Sequence, residues 1–183
     1  MKTSKYPSWL ALTALTFAAA GTANAAPVQG TLGATSSGSV TVTASVPSRV
    51  QISKLSDVSF TNQDPSSAAS SAQNICVWSN TATKGYNINA SGSGASSAFT
   101  LANAALTVPY SVEWSSSSGA TSGTALTAAT ALTGQTSTAT SPDCSSGAAT
   151  TASVIVKISA ANLQSMQGGV SYTGSLTLLV APE

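Results

Sequence analysis

The sequence predicts an all-β chain folded as an immunoglobulin-like sandwich, and three observations predict it. Apolar residues recur at every second position in one run after another, Gly, Pro and Asn punctuate those runs, and no long helical period appears after the leader. The clearest run places Leu106, Val108, Tyr110, Val112 and Trp114 on one parity and Thr107, Pro109, Ser111 and Glu113 on the other. Pro109 has no N–H to give a ladder, so this strand is expected at an edge or with a bulge.

Composition excludes several functions. The 183 residues hold 6 Lys+Arg, 5 Asp+Glu and no His, and charged residues make up 6% against about 25% in ordinary globular domains. That leaves no basic footprint for nucleic acid and none of the usual histidine for acid–base chemistry, so no enzyme, catalytic residue or cofactor is expected. Ser, Thr, Asn and Gln supply the polarity instead, giving the neutral, hydroxyl-rich surface common in extracellular structural proteins. With aromatics at 5%, the core is expected to be thin.

The first 25 residues read as a signal peptide. Lys2 and Lys5 form a positive start, residues 9–20 an apolar stretch short for a membrane span, and Ala23-Asn24-Ala25 a small-x-small cleavage site. Its removal takes away both lysines and turns the formal charge from +1 to −1. Export gives Cys76 and Cys144, the 2 cysteines present, the reading of one disulfide. Chain entropy gives such a loop about 4 kcal/mol, a staple for a thin core.

In order, residues 26–37 read as a flexible Gly/Thr/Ser-rich lead. Residues 38–46 then form a strand with Val40, Val42, Ala44 and Val46 on its apolar side. Pro47-Ser48 is a joint, and a second strand runs over 49–55. Val58 and Phe60 make a short strand, residues 61–72 a polar loop, and residues 75–78 a strand buried on both faces. Tyr86, Ile88 and Ala90 alternate with Asn87 and Asn89, and Phe99 and Leu101 follow a Gly92-Ser93-Gly94 turn. Residues 115–151 read as loops and weak strands anchored by Leu126 and Leu132. Val154, Val156 and Ile158 make a strand, and residues 160–165 one helical turn. Val170, Tyr172, Gly174, Leu176, Leu178 and Val180 then alternate toward Glu183.

A complete sandwich does not use this pattern fully. The final run has a strong apolar face with nothing after it to cover its edge, while an apparently spare strand stands near the start. Addition of that strand from a neighbouring copy resolves both features. The fold expected is therefore an incomplete immunoglobulin-like sandwich completed by a donor strand from a neighbouring subunit, with residues 26–46 as extension and 47–183 as the domain.

Three stretches carry a family resemblance: GSVTVTASVPSRVQI at 38–52, LTVPYSVEW at 106–114 and GGVSYTGSLTLLVAPE at 168–183. They resemble the pilins of chaperone-usher pili, most closely the alpha and archaic branches, which are related to spore coat protein U-like domains. The resemblance implies that Val40, Val42, Ala44 and Val46 are donor side chains. It also implies that Tyr172, Leu176, Leu178 and Val180 line an acceptor groove, with Glu183 a contact for a periplasmic chaperone. It implies further copies of the chain and an outer-membrane usher as partners, passage through the periplasm to a cell-surface pilus, and a part in adhesion to host or abiotic surfaces or in biofilm. The alternative is a secreted carbohydrate-binding adhesin or spore-coat-like module. Against a sugar platform, Trp78, Trp114, Tyr86, Tyr110 and Tyr172 fall on apolar faces and read as core. Asp57, Asp64, Glu113 and Asp143 are scattered without metal-loop or paired-carboxylate spacing, so no metal site is expected.

Overall fold

The computed structural model describes residues 25–183, so the expected signal peptide lies, apart from Ala25, outside the described residues. The described chain divides into two units between Val46 and Pro47. In the first, the backbone N–H groups of Val28 and Ser39 each donate to the other residue's carbonyl at 2.9 Å, closing a small hairpin. Residues 40–46 carry no ladder, although their alternation predicts a strand. Alternation specifies two faces; a strand also needs a backbone partner. Val40, Val42 and Val46 are 74%, 88% and 83% exposed.

The second unit is all-β. Its strands are β1 (Val50–Ser53), β2 (Ala69–Ser79), β3 (Gly85–Gly92), β4 (Thr100–Asn103), β5 (Leu106–Pro109), β6 (Ser111–Ser115), β7 (Thr124–Ala125), β8 (Ala131–Thr136), β9 (Ala152–Ile158) and β10 (Leu176–Pro182). A short helix α1 (Ala160–Gln164) precedes β10, its first turn capped by the Ser159 hydroxyl, which accepts from Asn162 N–H at 3.1 Å. One sheet has the order β1-β2-β9-β6-β7, the second β10-β3-β8, and β4 and β5 form a hairpin. All pairings are antiparallel.

The two sheets pack as the expected sandwich. Ile75 and Val77 of β2, Val112 and Trp114 of β6, and Val154, Val156 and Ile158 of β9 face Tyr86, Ile88 and Ala90 of β3 in one core. Trp114 and Tyr86 meet edge to face at 6.2 Å between centroids, and the indole N–H donates to the Tyr86 hydroxyl at 3.3 Å. That bond satisfies two buried polar groups between the sheets.

Several boundaries differ from the sequence reading. The single strand expected over 106–114 is two: Pro109 pairs with Thr100 as the last residue of β5, Tyr110 donates its N–H to Phe99 at 2.9 Å, and β6 then joins the other sheet. Its parity does not hold throughout, since Leu106 is 48% exposed. The strand expected over 49–55 stops at Ser53, because Lys54 takes φ 65°, in the left-handed region. Val58 and Phe60 belong to no ladder but still pack on the core. Val170 and Tyr172 precede a strand that begins only at Leu176.

Residues 115–151 are loops and two short strands, β7 at the edge of the larger sheet beside β6 and β8 at the edge of the smaller sheet beside β3. Cys76 and Cys144 form the disulfide (S–S 2.04 Å) and pack with Ala139 and Trp78 as a satellite cluster. Hydroxyls act as rungs here. Val77 O accepts from the Ser137 and Thr151 hydroxyls, and Val77 N–H donates to Thr151 Oγ1 at 3.0 Å. Both faces of β2 are thereby closed at Ile75, Cys76 and Val77, each 0% exposed.

Candidate functional site

The site follows from how β10 ends its sheet. On one side it pairs along its whole length with β3, from Leu176 opposite Gly92 to Pro182 opposite Tyr86. On the other side no described strand pairs with it. Beside that free edge lies a groove of about 1270 Å³. Its floor is Val154, Val156 and Ile158 of β9, one wall is Leu176 and Leu178, and the other is the unpaired run from Leu55 through Phe60. Leu163, Met166 and Tyr172 close one end, where the Tyr172 hydroxyl accepts from Gln167 N–H at 3.0 Å.

The lining is nearly neutral, with Asp57 its only charged residue. Small-molecule pockets usually run to about 300–1,000 Å³ and close over their ligand; this groove is larger and runs along a strand edge. Its apolar floor together with an unpaired ladder suits an extended peptide backbone with alternate apolar side chains. Three other carboxylates lie outside the lining: Glu113 is held below the usual carboxylate range by the Lys157 ammonium at 2.6 Å and by Gly123 N–H. Asp64 and Asp143 are held low by the N–H and hydroxyl groups of Ser66 and Ser145.

Of the residues that the sequence assigns to an acceptor groove, Tyr172, Leu176 and Leu178 lie together in the lining. Val180 packs on the same core further along β10. Glu183 is apart from the lining: its N–H donates to Gly85 O at 3.2 Å, and its side chain accepts from Gly134 N–H at 2.7 Å. The expected donor residues Val40, Val42, Ala44 and Val46 lie in the first unit with their side chains exposed. Sequence reasoning placed Val58, Phe60 and the β9 valines in strands without assigning them to the groove. Gln73 also lines it; the sequence reading ends a polar loop at residue 72 and starts the next strand at residue 75, whereas β2 begins at Ala69 and includes Gln73. The aromatic residues Trp114, Tyr86 and Tyr110 are buried, at 1%, 0% and 9% exposure, as core rather than a sugar-stacking surface.

No family model matches the sequence, and no curated protein matches it. Among solved structures, the chain is similar to one from work on a chaperone–tip adhesin complex vital for activation of CFA/I fimbriae biogenesis, at 12% identity and a TM-score of 0.48. The match covers 74% of this chain and 41% of that one, so the chain spans about two fifths of that chain's length.

Proposed function

We propose that this protein is a structural subunit of a surface pilus that polymerises by donor-strand complementation, residues 38–46 of one copy entering the groove of the next. The observation that carries this reading is the groove with an apolar floor along the unpaired edge of β10. β10 has 7 residues, the same span as residues 40–46, and both groove and segment are close to uncharged. Insertion would satisfy the free edge and bury Val40, Val42, Ala44 and Val46 over Val154, Val156 and Ile158, each fully buried valine contributing about 1.5–3 kcal/mol. The protein so read is a building block and not an enzyme. A periplasmic chaperone would occupy the groove before assembly, an outer-membrane usher would export the growing fibre, and the pilus would serve adhesion to host or abiotic surfaces or biofilm.

Electrophoresis without heating, after periplasmic expression with a cognate chaperone and usher, tests the reading. The wild-type chain is expected to run as a ladder of heat-dissociable polymers and Val42→Asp as monomer. A Val42→Asp ladder equal to wild type would overturn the donor assignment.

A further inference from the structure

One wall of the groove is a stretch of chain that stands away from its neighbour. β1 and β2 are in register as far as Ser53 opposite Cys76. Were the ladder to continue, residues 54–56 would lie at the usual strand spacing of about 4.8 Å from β2, and the wall they begin would stand elsewhere relative to β10. Lys54, at φ 65°, turns the chain out of that ladder. Its ammonium is anchored on the carbonyl oxygens of Ala149 at 2.6 Å and Cys144 at 3.4 Å, within the segment tied down by the disulfide.

The backbone leaving Lys54 is then caught by one side chain. The Gln73 carboxamide accepts from Ser56 N–H at 2.9 Å and donates to Ser56 O at 2.7 Å, satisfying both backbone groups of one residue as a ladder rung would. Gln73 shares its parity with Ile75 and Val77 and pairs with Val154 on the groove floor, where pattern alone calls for an apolar residue. A glutamine at such a position breaks the binary pattern for a reason, and the reason visible is the rung.

We propose that Gln73 is a positioning residue for the groove: by holding Ser56 one side chain's reach from β2, it sets where the wall of residues 55–61 stands relative to β10 and so whether a strand fits between them. This rests on the strand-donor reading above and adds a device within this chain. It separates two properties that ordinarily move together. Gln73→Leu should leave the stability of the fold close to wild type, since Ser56 is exposed and water can take the two bonds given up, while impairing capture of a strand.

The test uses the full chain carrying Val42→Asp, which disables its own donor segment, and a synthetic peptide of residues 37–47. Peptide binding is followed by native mass spectrometry, and amide exchange is read at residues 55–61 and in β9. The expected result for Gln73→Leu is a melting temperature close to that of Gln73 chains, peptide binding weakened about tenfold, and faster exchange at residues 55–61 with β9 still protected. Where Gln73 chains bind the peptide, equal binding by Gln73→Leu overturns the proposal and leaves the donor reading standing. Where neither form binds, the donor reading fails, and exchange at residues 55–61 decides the positioning role: faster supports it, equal overturns it. Should Gln73→Leu lose β9 protection, Gln73→Glu, which keeps an acceptor for Ser56 N–H but loses the donor, decides by the same readouts.

Discussion

β3 and β10 are neighbours in one sheet and present apolar side chains to the same core, yet they are buried to different degrees. Tyr86, Ile88 and Ala90 of β3 are each 0% exposed. Their register partners on β10 are Pro182, Val180 and Leu178, and of these Val180 and Leu178 are only half-buried. Side-chain chemistry does not separate Ile88 from Val180; what differs is the number of neighbours. β3 lies between two strands, and β10 lies between one strand and a groove. The contrast teaches that the core is one strand short along β10, and that the deficit is local: β9, beneath the same groove, is buried at every position but Lys157.

Truncation should expose that difference. Ile88→Ala is expected to cost about 2–5 kcal/mol, as for any well-packed core residue, read by chemical denaturation. The next effect uses Tyr86, whose phenol is pushed up to about 12 by burial, with the Trp114 hydrogen bond acting the other way. The ordinary value in an unfolded chain is 10.0, so the folded state loses no stability from this group below about pH 10. Stability then falls as pH rises toward 12, because the unfolded chain gives up its proton first. Tyrosinate absorbance at alkaline pH should show Tyr86 titrating together with unfolding; early titration in a folded chain would break the account of β3 as fully enclosed.

A smaller effect is expected on β10. Leu178→Ala should cost about 1–2 kcal/mol with the groove empty, since the side chain is half in water already. Filled by the peptide of residues 37–47, the same substitution should approach the cost of Ile88→Ala. A cost that does not change on filling would mean that the peptide does not cover this strand. Smallest of all is Leu179→Ser, on the opposite face at 64% exposure, expected within about 0.5 kcal/mol of wild type. A large loss there would show a second buried face on β10.

Much of the fold was legible because a period of two survives wherever a strand has one wet face. It placed β3, β6, β9 and β10, and the isolated cysteine pair placed the disulfide. Three features escaped for physical reasons. The run over 106–114 keeps its alternation while changing partners at Tyr110, and periodicity carries no record of which sheet a strand belongs to. Residues 40–46 alternate as well as any strand and form none, because pairing is not a property of one segment. The wall bearing Val58 and Phe60 owes its position to the left-handed turn at Lys54 and the carboxamide of Gln73, neither of which leaves a periodic trace. The groove itself was readable only as an imbalance, a strong apolar face on the last run and a strand-like segment, residues 38–46, without a partner.

The central claim is that β10 is an acceptor edge, and amide exchange along Leu176–Pro182 tests it most directly. Exchange would be measured in the folded Val42→Asp chain with and without the peptide of residues 37–47. The account predicts that β10 amides exchange faster than those of β3 in the free chain and slow toward the β3 rates when peptide is present. A folded chain whose β10 amides are already as protected as β3, and unchanged by peptide, would contradict it.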